Sequence, residues 1–227
     1  KTLRGAKNST VKLGVQRGNS PELLYFDVTR GDVPVNSVDV SYEAAKGIGY
    51  IKVSKFARNT YNEFITAIAK LKQAGCTSFV IDLRGNTGGY MDAAINMINE
   101  FMPEGRLIVY TEGKSFPRSD VYANGTGTCK DAPIVVLTDE ISASASEIFS
   151  GAIQDNDRGT IIGRRTYGKG LVQTQMSLSD GSEMRLTIAR YYTPSGRCIQ
   201  KKYEMGNTDA YDQDIYNRYM PVSYTHL

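Results

Sequence analysis

The chain has 227 residues, 41% hydrophobic and 22% charged, enough for one good core with room for a small appendage. Its 27 basic and 24 acidic residues nearly cancel to a net charge of +3, without a dense basic run, which argues against nucleic acid as a partner. Three scattered cysteines and a single histidine, His226, leave too few ligands for a zinc site of the usual Cys/His type, and no apolar run approaches the roughly 18 residues that span a bilayer.

Residues 10–18 and 23–31, TVKLGVQRG and LLYFDVTRG, read as two strands of a hairpin around the turn-rich GNSPE. Residues 33–46 are punctuated by Pro and Asn and read as a linker. GIGYIKVSKF from Gly47 is a predicted strand. NTYNEFITAIAKLKQAG is a predicted helix, with Phe64, Ile65, Ile68 and Leu71 at helical spacing and Gly75 suited to its C-terminal cap. TSFVIDLR is a buried-type strand that GNTGG breaks. A second helix over YMDAAINMINEFMPEG carries Ala94, Ile95, Ile98, Phe101 and Met102 on one side. The strand APIVVLTDE precedes a third helix, ISASASEIFSGAIQDN, whose Ile148, Phe149, Ala152 and Ile153 face inward. GTIIGRR is one more strand, and LVQTQMSLSDGSEMRLTIARYYTPSG reads as two strands about the Asp180-Gly181 turn. Alternating strands and helices imply an α/β fold with a mostly parallel sheet and an antiparallel addition. The Tyr- and Asp-rich tail has no clear period.

Three stretches could carry chemistry. GRRTYGKG, residues 163–170, comes close to a phosphate-binding loop, but Gly170 stands where Ser or Thr must bind magnesium. The next residues alternate as a strand and do not open a helix, so nucleotide binding is disfavoured. In SASASE, Ser144 and Glu147 have the spacing of a helix-capping box. A serine at a helix start after a buried strand is also where nucleophile elbows stand, with the helix dipole favouring developing negative charge. DLRGNTGG suits either a tight strand-to-helix turn or close approach of a bound chain. With His226 at the extreme end, a histidine-based triad is improbable on position alone, and a nucleophile would need another base.

Together DLRGNTGG, SASASE, TYGKGLVQ and YYTPSGR, in this order and spacing, resemble the C-terminal processing peptidases, also called tail-specific proteases. The resemblance runs from about Gly47 to Lys201. It implies a crotonase-like α/β core and a serine endopeptidase that cleaves proteins near their C-termini, without metal or cofactor. Ser144 matches the nucleophile, Lys169 the general base and Gln173 the glutamine that orients the lysine. The backbone N–H of Ala145 and that of Gly88 or Gly89 match the oxyanion-hole donors. Ser142 and Ser146 do not have the spacing of 25 residues to the lysine. The resemblance further implies residues 1–32 as the last part of a PDZ domain, 33–46 as linker, 47–202 as the peptidase core and 203–227 as an extension. The final PVSYTHL does not continue the family pattern and is expected to be a non-native tail. Partners are then protein or peptide substrates with accessible C-terminal tails, not nucleotides, and a homo-oligomer is compatible with this. A bacterial periplasmic or envelope location is implied, with any targeting segment outside these residues. The competing expectation is a non-catalytic protein-binding module on the same core.

An ordinary lysine with a pKa near ~10.4 is only about 0.1% neutral near pH 7.4. Bringing it to roughly 7–8 costs about 4 kcal/mol, expected here mainly from burial of an amine turned inward by Gly168 and Gly170.

Overall fold

The computed structural model of the chain describes residues 3–32, 35–203 and 206–219. His226 and the PVSYTHL tail lie outside the described residues. The chain divides into two compact units, Lys1–Val35 and Asn36–Leu227. In the first, β1 (Thr10–Gln16) and β2 (Leu23–Thr29) pair antiparallel, from Thr10 opposite Thr29 to Gln16 opposite Leu23. Every β2 side chain is exposed, so this hairpin has no core of its own.

The second unit runs β3 (Val38–Ala45), β4 (Ile48–Val53), α1 (Thr60–Gln73), β5 (Ser78–Asp82), α2 (Met91–Asn99), β6 (Leu107–Gly113) and β7 (Phe116–Tyr122). It continues with β8 (Ile134–Thr138), α3 (Ala145–Asp155), β9 (Thr160–Gly163), β10 (Leu171–Ser177), β11 (Glu183–Tyr192) and α4 (Thr208–Tyr219). The central sheet has the order β3-β4-β5-β8-β9, antiparallel only between β3 and β4. A second, antiparallel sheet has the order β10-β11-β6-β7. This is the mixed α/β arrangement expected from the alternation of strands and helices.

The core forms where the predicted apolar positions of the helices meet the central strands. Phe64, Ile68 and Leu71 of α1, Ala94 and Ile98 of α2, and Ile148, Phe149, Ala152 and Ile153 of α3 are buried with Ile51, Phe79, Ile81 and Val136 of the sheet. Phe101 joins two of these layers, edge-on to both Phe64 and Phe79 at centroid distances of 6.2 and 6.3 Å. Gly75 ends α1 at φ +93°, its N–H bonded to Lys72 O at 3.0 Å.

Four features differ from expectation. The segment read as a linker contains β3, which folds back on β4 across Lys46 and Gly47, the glycine at φ +78°. As an edge strand it buries little, so it has no hydrophobic period to read. The second helix stops at Asn99, short of the predicted Gly105. Residues 107–122 form two strands, and the aperiodic tail contains α4.

What matters for chemistry is the order of neighbours in the central sheet. β5, β8 and β9 lie side by side and parallel, with Asp82 beside Leu137 and Thr138 beside Gly163. DLRGNTGG leaves the carboxyl end of β5, SASASE that of β8, and TYGKG that of β9. Three motifs separated by tens of residues therefore emerge next to one another at the carboxyl ends of the parallel strands.

Candidate active site

Ser144 stands immediately before α3, at φ 57° and ψ −112°. A side chain is rarely tolerated at positive φ, and such a residue on a strand-to-helix turn has the conformation of a nucleophile elbow. The three serines of SASASE have different surroundings. Ser142 and Ser146 are fully buried, their hydroxyls donating to Leu83 O at 2.8 Å and Asn86 O at 2.9 Å. Ser144 between them is only half-buried. Two serines tie the turn down, and the middle one is presented.

The glycine loop is stitched to this turn from several sides. Ala143 N–H donates to Asn86 O at 3.0 Å, and Gly85 N–H donates to the Asp139 carboxylate at 2.9 Å. Asn86 is fully buried, with its amide donating to Val53 O and its carbonyl accepting from Gly88 N–H at 2.8 Å. Gly88 has φ +98°, and a Cβ there would stand 2.6 Å from Ala143 O and 2.8 Å from Ser144 Cβ. Gly89, at φ +145°, would drive a Cβ to 2.0 Å from Phe56 O. Only glycine permits this approach. Among the described residues, the N–H groups of Ala145 and Gly89 have no acceptor, whereas that of Gly88 is engaged by Asn86.

Glu147 connects this turn to the lysine loop. Its Oε2 accepts from Ser144 N–H and from Lys169 N–H, both at 2.8 Å. Its Oε1 accepts from the Thr166 hydroxyl at 2.8 Å and from Gly168 N–H at 2.6 Å. Burial pushes the Glu147 carboxyl above its ordinary pKa, against the opposing pull of these hydrogen bonds. Tyr167 N–H adds a bond to Ser142 O at 2.9 Å. The sequence showed Glu147 as a capping residue; its second role depends on a loop some twenty residues downstream, for which helix spacing contains no signal.

Lys169 is exposed, contrary to the expected burial. The reason lies in its neighbours. Gly168 and Gly170 are buried against the chain around Lys201, where a Cβ would come within 2.7 Å of Lys201 Cβ and 2.4 Å of Gln200 N. With both glycines facing inward, the residue between them faces out. Gln173 is also exposed, and its amide donates across the strand pair to Thr187 Oγ1 at 3.5 Å. The structure thus brings Ser144, Ala145, Gly88, Gly89 and the Lys169 backbone together, and engages the Gln173 side chain elsewhere. LVQTQMS is strand β10, so no helix follows the glycine-lysine loop to receive a phosphate.

Two carboxylates brace the periphery. Asp82 ends β5 and is 1% exposed. Burial opposes its ionisation, but hydrogen bonds from Arg84 and Tyr50 outweigh this and hold the carboxyl at about 2; the Tyr50 hydroxyl, half-buried and donating to Asp82 at 2.5 Å, is pushed up to about 12. At the other end of α3, Asp155 accepts from Ser195 N–H and Oγ and pairs with Arg197. The YYTPSGR motif is therefore an anchor for the helix that carries Ser144.

The chain is similar to several known proteins. The pattern described as Peptidase family S41 matches residues 47–209. The chain is 37% identical over 202 residues to a carboxyl-terminal-processing protease of Synechocystis sp., covering 88% of this chain and 47% of that protein. It is 32% identical to the carboxy-terminal processing protease CtpB of Bacillus subtilis, covering 88% of this chain and 42% of that one. Among solved structures it is similar to a photosystem II D1 C-terminal processing protease, with a TM-score of 0.68 and 32% identity over 86% of this chain and 54% of the other. The chain thus spans about half the length of the relatives it matches. With a family match across most of the second unit, the chain belongs to peptidase family S41.

Proposed function

We propose that this chain carries the catalytic core of a serine endopeptidase that cleaves polypeptides near their C-termini, with Ser144 as nucleophile and Lys169 as general base. The observation that supports it most is the single carboxylate oxygen of Glu147 shared by the backbones of Ser144 and Lys169. In the reaction, the neutral Lys169 amine takes the Ser144 hydroxyl proton as Oγ bonds to the substrate carbonyl carbon. The resulting oxyanion lies toward the N–H groups of Ala145 and Gly89, the two donors without an acceptor, while Gly88 makes room beside Ser144. The C–N bond then breaks, the lysine returns its proton to the leaving amine, and water releases the acyl group. Substrate laid over the site excludes water from the exposed amine, which supplies the desolvation that the free protein lacks. Gln173 serves as an acceptor for that amine when its weak bond to Thr187 is given up.

We also infer that residues 1–32 are the last part of a PDZ domain and that the protein works in the bacterial envelope on accessible C-terminal tails. Among the described residues no helix is long and apolar enough to cross a membrane. Ser144→Ala and Lys169→Ala in the intact protein should each abolish hydrolysis of an unstructured protein substrate followed on a gel. Activity retained in Lys169→Ala would refute the dyad.

A further inference from the structure

We propose that Glu147 is a positioning residue for this reaction: its carboxylate sets the distance between the nucleophile's turn and the lysine's loop. The inference rests on the Ser144/Lys169 assignment and adds to it a group that touches neither substrate nor the reacting atoms. A carboxylate offers acceptors only, with about four lone-pair directions. At Glu147 four donors fill them, one from the nucleophile's turn and three from residues 166–169. The residue is 5% exposed and stands in the first turn of α3, where the helix dipole favours its charge. It grips the backbone of Lys169, so it orders the loop without an ion pair to the amine.

No other side chain has the right chemistry. Gln would turn an NH2 group toward two of the four donors while keeping the shape of Glu. Asp is one methylene short of a loop anchored on a different strand. Other contacts between these segments, Tyr167 N–H to Ser142 O, the two bonds between Arg164 and Thr138 and the Arg164–Glu140 ion pair, hold the loop's flanks and do not reach Ser144 or Lys169. Losing the Glu147 grip leaves the lysine loop attached but free to drift by a fraction of an ångström to an ångström, and a displacement on that scale can cost on the order of 100-fold in rate.

The test uses Glu147→Gln and Thr166→Val in the intact protein, with kcat, KM, thermal melting and the rate at which a serine-reactive phosphonate labels Ser144. Glu147→Gln should lower kcat and the labelling rate together by roughly 100-fold, with KM within about threefold and a cooperative melt retained. Thr166→Val, which removes one donor and no charge, should lower kcat by roughly tenfold at unchanged KM. A purely structural Glu147 would lower the melting temperature and leave kcat per folded molecule unchanged, and that result overturns the proposal. If Glu147→Gln does not fold, unchanged kcat in Thr166→Val overturns it equally. Lys169→Ala assayed alongside separates the two claims: if it stays active the base assignment fails, and if it is dead while Glu147→Gln is fully active only the positioning role fails.

Discussion

At the scale of single residues, SASASE shows how three serines in five positions acquire different roles. Ser142 and Ser146 face inward and satisfy buried carbonyls of the glycine loop, while Ser144 is lifted out by its positive φ. Ser142→Ala and Ser146→Ala should each destabilise the protein by about 0.5–1.5 kcal/mol, because each loses one buried hydrogen bond while Leu83 O and Asn86 O keep their backbone donors, Asn86 N–H and Ala143 N–H. Ser144→Ala should abolish activity with the melting temperature unchanged or raised, since alanine relieves nothing that the fold depends on. Thermal melts of the three variants beside their activities check the distinction; a Ser144→Ala protein as unstable as the other two would contradict it. What the sequence offered for Ser144 was the family's spacing to Lys169; that it alone of the three serines is half-buried is visible only in the structure. The exposure of Lys169 was not legible in the sequence, because it follows from Gly168 and Gly170 packing on residues some thirty positions away.

At the scale of elements, the parallel strands and the helices α1, α2 and α3 were readable because each buries a face of apolar residues. The strand β3 escaped notice for the opposite reason, since an edge strand paired on one side is held by backbone bonds that leave no hydrophobic period. The same holds for α4, which is rich in Tyr and Asp and contributes little to the core. The end of β5 shows how charge supports an element. The Asp82 carboxyl, held at about 2 in the fold against 3.8 unfolded, contributes stability that is present above the unfolded value and lost as pH falls from about 4 toward 2. The amount is roughly 2 kcal/mol. Asp82→Asn should lose about that much at pH 7 and show a flatter acid limb between pH 4 and 2 in urea titrations at stepped pH. An acid limb identical to that of the unmodified protein would show that the Arg84 and Tyr50 contacts do not set this value.

At the scale of the whole molecule, the candidate site is a consequence of strand order. Placing β5, β8 and β9 side by side brings the carboxyl ends of three distant segments together in a chain that belongs to peptidase family S41. The motifs and their order could be read from the sequence; that a buried glutamate joins two of them could not, since neither partner's spacing reveals the other. The central claim is that Lys169 activates Ser144. It is tested most directly by the rate at which a serine-reactive phosphonate labels the intact protein, mapped to its peptide by mass spectrometry, with and without Lys169→Ala. The label should fall on Ser144 and slow by about 100-fold or more in the variant. Equal labelling in the two proteins, or a label on any other serine, would contradict the account.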